Sequence, residues 1–181
     1  MVDMSESSKE LIAIVNKLTS AALSDWLQYS LFTWRWWLGV LITIVPWVLW
    51  IYYRDKKSTS RLLFVGFFSM IIAFTINTIG TSFNLWFFEY KIIPVIQIFL
   101  PWDFTLIPIS IMVLLQIKPN KFLFLKILFF ASFSAFIAEP FFHWLKLFHL
   151  INWKYTYSFI LYSILFLFCN FLIKRNDFEL L

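Results

Sequence analysis

Apolar residues fill this chain in long blocks, and charges or prolines separate one block from the next. A hydrocarbon core about 30 Å thick needs roughly 20 apolar residues in a helix. That template fits near residues 31–53, 62–83, 101–117, 122–142 and 156–173. Ahead of them, Ser7 and Glu10 read as a capping box, and Leu11, Ile14, Val15, Leu18 and Ala22 form an apolar stripe at helical spacing. The pattern predicts an all-α, polytopic membrane protein, a bundle of five transmembrane helices preceded by an amphipathic N-terminal helix. It divides into a tail (1–30), a membrane domain (31–175) and a short C-terminal tail (176–181). No Gly or Pro precedes Gly39, so the first helix either runs straight into the first span or lies along the interface. The stripe is too short for a coiled coil, and neither a repeat nor a second domain is evident.

Composition agrees: 61% of residues are hydrophobic and 14% charged, against about a quarter charged in a water-soluble globule. The net charge of +5 raises nucleic acid as a partner, but the basic residues sit at the ends of apolar blocks, where membrane orientation accounts for them. The expected partner is the lipid bilayer, with a second copy or another membrane protein as further options. Arg54, Lys56, Lys57 and Arg61 follow the first span, Lys118 and Lys121 the third, Lys174 and Arg175 the fifth. The positive-inside tendency makes those ends cytoplasmic, which puts the N-terminus outside and the C-terminus inside. The opening MVDMSESSKE is acidic and unlike a cleavable signal, so the first span is expected to act as the insertion signal. Cys169, a lone cysteine, forms no intrachain disulfide. Trp34, Trp36, Trp37, Trp86, Trp102, Trp144 and Trp153 read as an interfacial belt at the outer boundary.

The stretch FLPWDFTLIP, Phe99 to Pro108, sets Asp103 among apolar residues and prolines. Pro101 suits a helix start, and an acid two residues later meets the positive end of the helix dipole. The third span is short, so it starts below the outer surface. The segment before it, Ile92 to Leu100, is broken by Pro94 and reads as a re-entrant or interfacial piece packed on protein. Counting from the basic ends at 1.5 Å per residue brings Asp103, Asn77, Tyr157, Glu139 and Arg35 to similar depths, about 22 to 28 Å. Ala131, Ala135 and Glu139 share a face of small residues, which turns Glu139 into the bundle. Arg35 is the expected counter-ion for Asp103 or Glu139, because an unpaired charge in hydrocarbon is costly. His143 lies one turn beyond Glu139. In the outer loop, His149 reads as solvated.

TWRWW (Thr33 to Trp37), LPWDF (Leu100 to Phe104) followed by Pro108, AEP (Ala138 to Pro140) and INWKYTYS (Ile151 to Ser158) resemble an uncharacterised family of small five-span membrane proteins from endospore-forming bacteria. The resemblance covers about Trp26 to Arg175. It implies topology and a bacterial cytoplasmic membrane, not an activity. Members of that family often carry an aspartate where this chain has Asn77. The expected ligand-binding set is Arg35, Asn77, Asp103, Glu139, His143 and Tyr157, serving binding, transport or sensing of a small molecule or ion. An assembly subunit is the alternative, and an intramembrane enzyme using Asp103, Glu139 and His143 a second one. No cofactor is implied. Glu139 and His143 alone are too few ligands to point to a metal.

Overall fold

The computed structural model describes residues 5–96, 98–119 and 121–174, so the expected tail 176–181 lies outside the described residues. In chain order it comprises α1 (Glu6–Asp25), α2 (Trp34–Tyr53), α3 (Thr59–Ser82), β1 (Trp86–Phe88), α4 (Ile107–Gln116), α5 (Leu123–Phe133), α6 (Glu139–Trp144), β2 (Phe148–Leu150) and α7 (Tyr155–Ile173). π-helical turns extend α1 (Trp26–Ser30), lead into α4 (Trp102–Leu106) and join α5 to α6 (Ser134–Ala138). The continuous helices Trp34–Tyr53, Lys56–Ser82, Leu123–Trp144 and Tyr155–Ile173 are long and apolar enough to cross a membrane, and Trp102–Gln116 is a shorter apolar helix. Their bounds follow the apolar blocks closely.

Helix α2 shows why a bilayer suits this surface. Only Gly39 and Trp50 are buried along it, while Leu41, Ile44, Val48 and Leu49 are exposed. A contiguous apolar face of that extent is rare on a water-soluble monomer. The interior is packed by α3, α4 and α7, with Val65, Ile111, Met112, Phe166 and Cys169 fully buried. Helices α3 and α4 meet closely at Gly66, where a Cβ would lie 2.7 Å from Met112 Sδ.

The prolines have structural partners. Pro108 has no N–H to give the carbonyl of Phe104, and Trp47 Nε1 of α2 donates to that carbonyl at 3.0 Å instead. Thr105 Oγ1 donates to Thr43 O at 3.0 Å, so the Trp102–Leu106 turn is fastened to α2 twice. At the basic end, the Asp55 N–H donates to Gln116 Oε1 at 3.2 Å. The Ser58 hydroxyl, and then the Lys57 N–H, hold the Asp55 carboxyl below its ordinary range.

The structure corrects several expectations. The chain is mostly helical as expected, with one addition: β1 and β2 pair antiparallel, with Trp86 opposite Leu150 and Phe88 opposite Phe148. Three-residue strands are too short to leave an alternating pattern. Ser5 rather than Ser7 caps α1, accepting from Ser8 N at 3.2 Å, and Glu6 pairs with Lys9 at 2.6 Å. Nor does α1 run into α2. Leu31 is extended, Phe32 adopts φ 59°, and Thr33 restarts the helix by accepting from Trp36 N at 3.3 Å. Trp26 Nε1 ties the end of α1 to Lys91 O at 2.8 Å, and burial there lowers the Lys91 pKa. The apolar stripe Leu11, Ile14, Val15 and Leu18 is exposed. The expected packed segment before α4 does bury Ile98 and Phe99.

Candidate functional site

Two buried carboxylates organise the end of the bundle opposite the contact of Asp55 with Gln116. Asp103 lies in the π-helical turn after Pro101 and is fully buried. Its Oδ1 accepts a hydrogen bond from Asn77 Nδ2 of α3, and Asn77 Oδ1 accepts from Trp86 Nε1 of β1 at 2.9 Å. The strand thus reaches down to fix the amide, which turns its N–H groups toward Asp103. Gly80 makes that approach possible, because a Cβ there would lie 2.0 Å from Trp86 Cζ2.

Glu139, at the start of α6, is 5% exposed. Its Oε1 accepts from the Tyr162 hydroxyl of α7 at 2.6 Å, and that hydroxyl accepts from Trp102 Nε1 at 2.9 Å. The two arms share one logic: a carboxylate, a polar side chain from a neighbouring helix, and an indole N–H behind it. The expected small-residue face is buried with it, since Ala131 and Ala135 have no exposed area. One oxygen of each acid is left over. Asp103 Oδ2 and Glu139 Oε2 are buried and make no close hydrogen bond among the described residues, although the Ser158 hydroxyl lies beside the Glu139 carboxyl in the same cavity.

The expected ion pair with Arg35 does not form. Arg35 Nε donates to Leu145 O at 2.9 Å and Nη1 to Tyr90 Oη at 3.3 Å, with the guanidinium stacked over Trp34 and Tyr90. A matched depth along the membrane normal does not decide which way a side chain faces. Lys9 and Glu6 form an ion pair among the described residues, and the partly exposed His149 also hydrogen-bonds through Nε2 to Glu89 Oε2 at 2.8 Å. Tyr157, another expected member, is 44% exposed and stacks edge-on against Trp153, with ring centroids 5.2 Å apart. His143 is exposed and donates from Nδ1 to Phe148 O at 2.9 Å, the only role open to a ring nitrogen facing a carbonyl. No group of three or more metal-ligating side chains occurs among the described residues.

Between α3 and α7 lies an open-mouthed cavity of about 60 Å³, lined on its polar side by Asn77, Glu139, Ser158 and Tyr162. Trp86, Trp102 and Trp153 contribute to its walls. Of the expected six residues, then, Asn77 and Glu139 line the cavity and Asp103 backs it through Asn77, whereas Arg35, His143 and Tyr157 lie outside its lining. Tyr162, Trp86 and Trp102 were missed. The belt assignment hid both indoles: Trp34 and Trp144 are exposed as a belt requires, but Trp86 and Trp102 are 6% and 7% exposed and point their N–H groups inward. No protein-family profile, curated protein or solved structure matches this chain, so the side chains themselves carry the functional reading.

Proposed function

We propose that the chain is a five-span protein of a bacterial cytoplasmic membrane, N-terminus outside and C-terminus inside, that binds a small molecule in the α3–α7 cavity for transport or sensing. The short helix Trp102–Gln116 serves as the third span, and its depth deficit leaves room for the site. The cation asymmetry between the two ends supports the orientation, and the resemblance to five-span proteins of endospore-forming bacteria supports the membrane. One observation carries the binding reading: Glu139 lines a largely aromatic cavity and keeps a buried oxygen that makes no close hydrogen bond among the described residues. A purely structural carboxylate is normally satisfied by its own protein.

The test is intrinsic fluorescence of the purified protein titrated with small amphiphiles, since three indoles line the cavity. Leu161 also lines it, and Leu161→Trp fills it. Saturable changes in the wild-type protein that disappear in Leu161→Trp are expected; equal responses in both proteins would reject the cavity as the site. An assembly role is the second reading, favoured by the exposed stripe of α1. It predicts a membrane protein that co-purifies with the full chain and is lost when Leu11 and Leu18 become serine.

A further inference from the structure

Resting on the cavity reading, we infer that its ligand is a protonated amine with at least one N–H, carried on an apolar body. Among the described residues the cavity is lined by one carboxylate, Glu139, and by no lysine, arginine or histidine. A walled acidic site of that kind concentrates cations. Glu139 Oε1 is taken by Tyr162, while Oε2 is buried without a close hydrogen bond among the described residues, so the ionised carboxylate, with the Ser158 hydroxyl beside it, still has room to accept from a ligand N–H. Glu139 is only 5% exposed, so a charge brought to it meets little competition from water.

The walls fit the same chemistry. Trp86 and Trp153 meet edge-on with centroids 5.0 Å apart, and Trp102 packs edge-on against Phe142 at 5.2 Å. Together with Phe99 and Phe148, which also line the cavity, they make an aromatic lining of the kind that attracts an ammonium group through the ring quadrupole and gives apolar contact to the remainder of the ligand. An anionic ligand would face Glu139 with no compensating base. A neutral alcohol would satisfy Oε2 through a hydrogen bond in which only the acceptor is charged, without the added attraction of an ammonium charge. A quaternary ammonium would gain from the rings yet leave Oε2 without a donor, which separates it from an amine bearing N–H.

The experiment compares 2-phenylethylamine, its N,N,N-trimethyl derivative and 2-phenylethanol in fluorescence titrations and thermal unfolding of the full chain in detergent. The amine is expected to bind about ten-fold or more tighter than either of the others, the range set by a charge-assisted hydrogen bond. Glu139→Gln is expected to remove that preference. Equal binding of the amine and the alcohol to the wild-type protein, with binding lost in Leu161→Trp, would overturn the amine inference while leaving the cavity reading intact. Binding of none of the three would overturn both. Because the decisive comparison is made on the wild-type protein, it holds even if Glu139→Gln fails to fold.

Discussion

Replacing Gly80 by alanine probes the whole Asp103 arm with a single methyl group. The new Cβ would sit 2.0 Å from Trp86 Cζ2, 2.2 Å from Cη2 and 2.6 Å from Cε2, whereas carbon atoms in contact rest about 3.5–4.0 Å apart. The indole must therefore retreat by well over an ångström. It has little room, because its strand is paired to β2 and its ring meets Trp153. Overpacking of this kind costs about 1–3 kcal/mol. Moving the ring also breaks its hydrogen bond to Asn77, worth about 1 kcal/mol net. Alanine returns up to about 1 kcal/mol of helix propensity, so a net loss of about 1–3 kcal/mol is expected. Gly39→Ala is the internal control, since its Cβ would meet Ile92 at 3.4 Å and Pro101 at 3.7 Å, ordinary contacts that leave the propensity gain intact. Thermal unfolding in detergent, followed by circular dichroism, should rank Gly39→Ala near or above wild type and Gly80→Ala clearly below it. Trp86→Leu should recover part of the Gly80→Ala loss. Gly80→Ala melting at or above the wild-type temperature would refute the reasoning.

Other substitutions separate the two arms. Tyr162→Phe removes the donor to Glu139 Oε1 and the acceptor for Trp102 Nε1, and is expected to cost about 1–3 kcal/mol in the same unfolding assay. Because Arg35 bonds to Leu145 and Tyr90, Arg35→Gln and Glu139→Gln should be additive within about 0.5 kcal/mol in a double-mutant cycle; strong coupling would restore the direct ion pair. Asp55 is held below its ordinary value by Ser58 and Lys57, so its stabilising effect should be present above the unfolded value of about 3.9 and vanish as pH falls through the lower folded value. The melting difference between wild type and Asp55→Asn, large at neutral pH and closing in acid, checks that sign. Cysteines at Ser5 and Lys174 in a Cys169→Ser background should be labelled by an impermeant reagent from outside and inside respectively, and the reverse pattern would invert the orientation.

The fold was legible where the signal is local along the chain. Apolar runs, the break at Pro94 and the start at Pro101 are read without knowing any neighbour, and they located every long helix. Burial of Asp103, Asn77 and Glu139 was legible for a related reason, since polar groups inside apolar runs are costly unless turned inward. Partner choice was not. Tyr157 and Tyr162 lie on one helix, but five residues turn a helix by about 140°, so they face different neighbours. Depth alone favoured the wrong one. Arg35 failed similarly, because a carbonyl left over at the end of α6 and the Tyr90 ring satisfy it locally. The roles of Trp86 and Trp102 depend on a short strand and a π-helical turn, neither of which has a periodicity long enough to read.

The most direct test of a ligand site between α3 and α7 is an experimental density map of the protein saturated with whichever small amphiphile changes its fluorescence most. The account predicts density for that molecule between Trp86, Trp102 and Tyr162, with a polar atom about 3 Å from Glu139 Oε2. A cavity closed by the side chains of Leu161 and Trp153, with the amphiphile bound elsewhere, would contradict it.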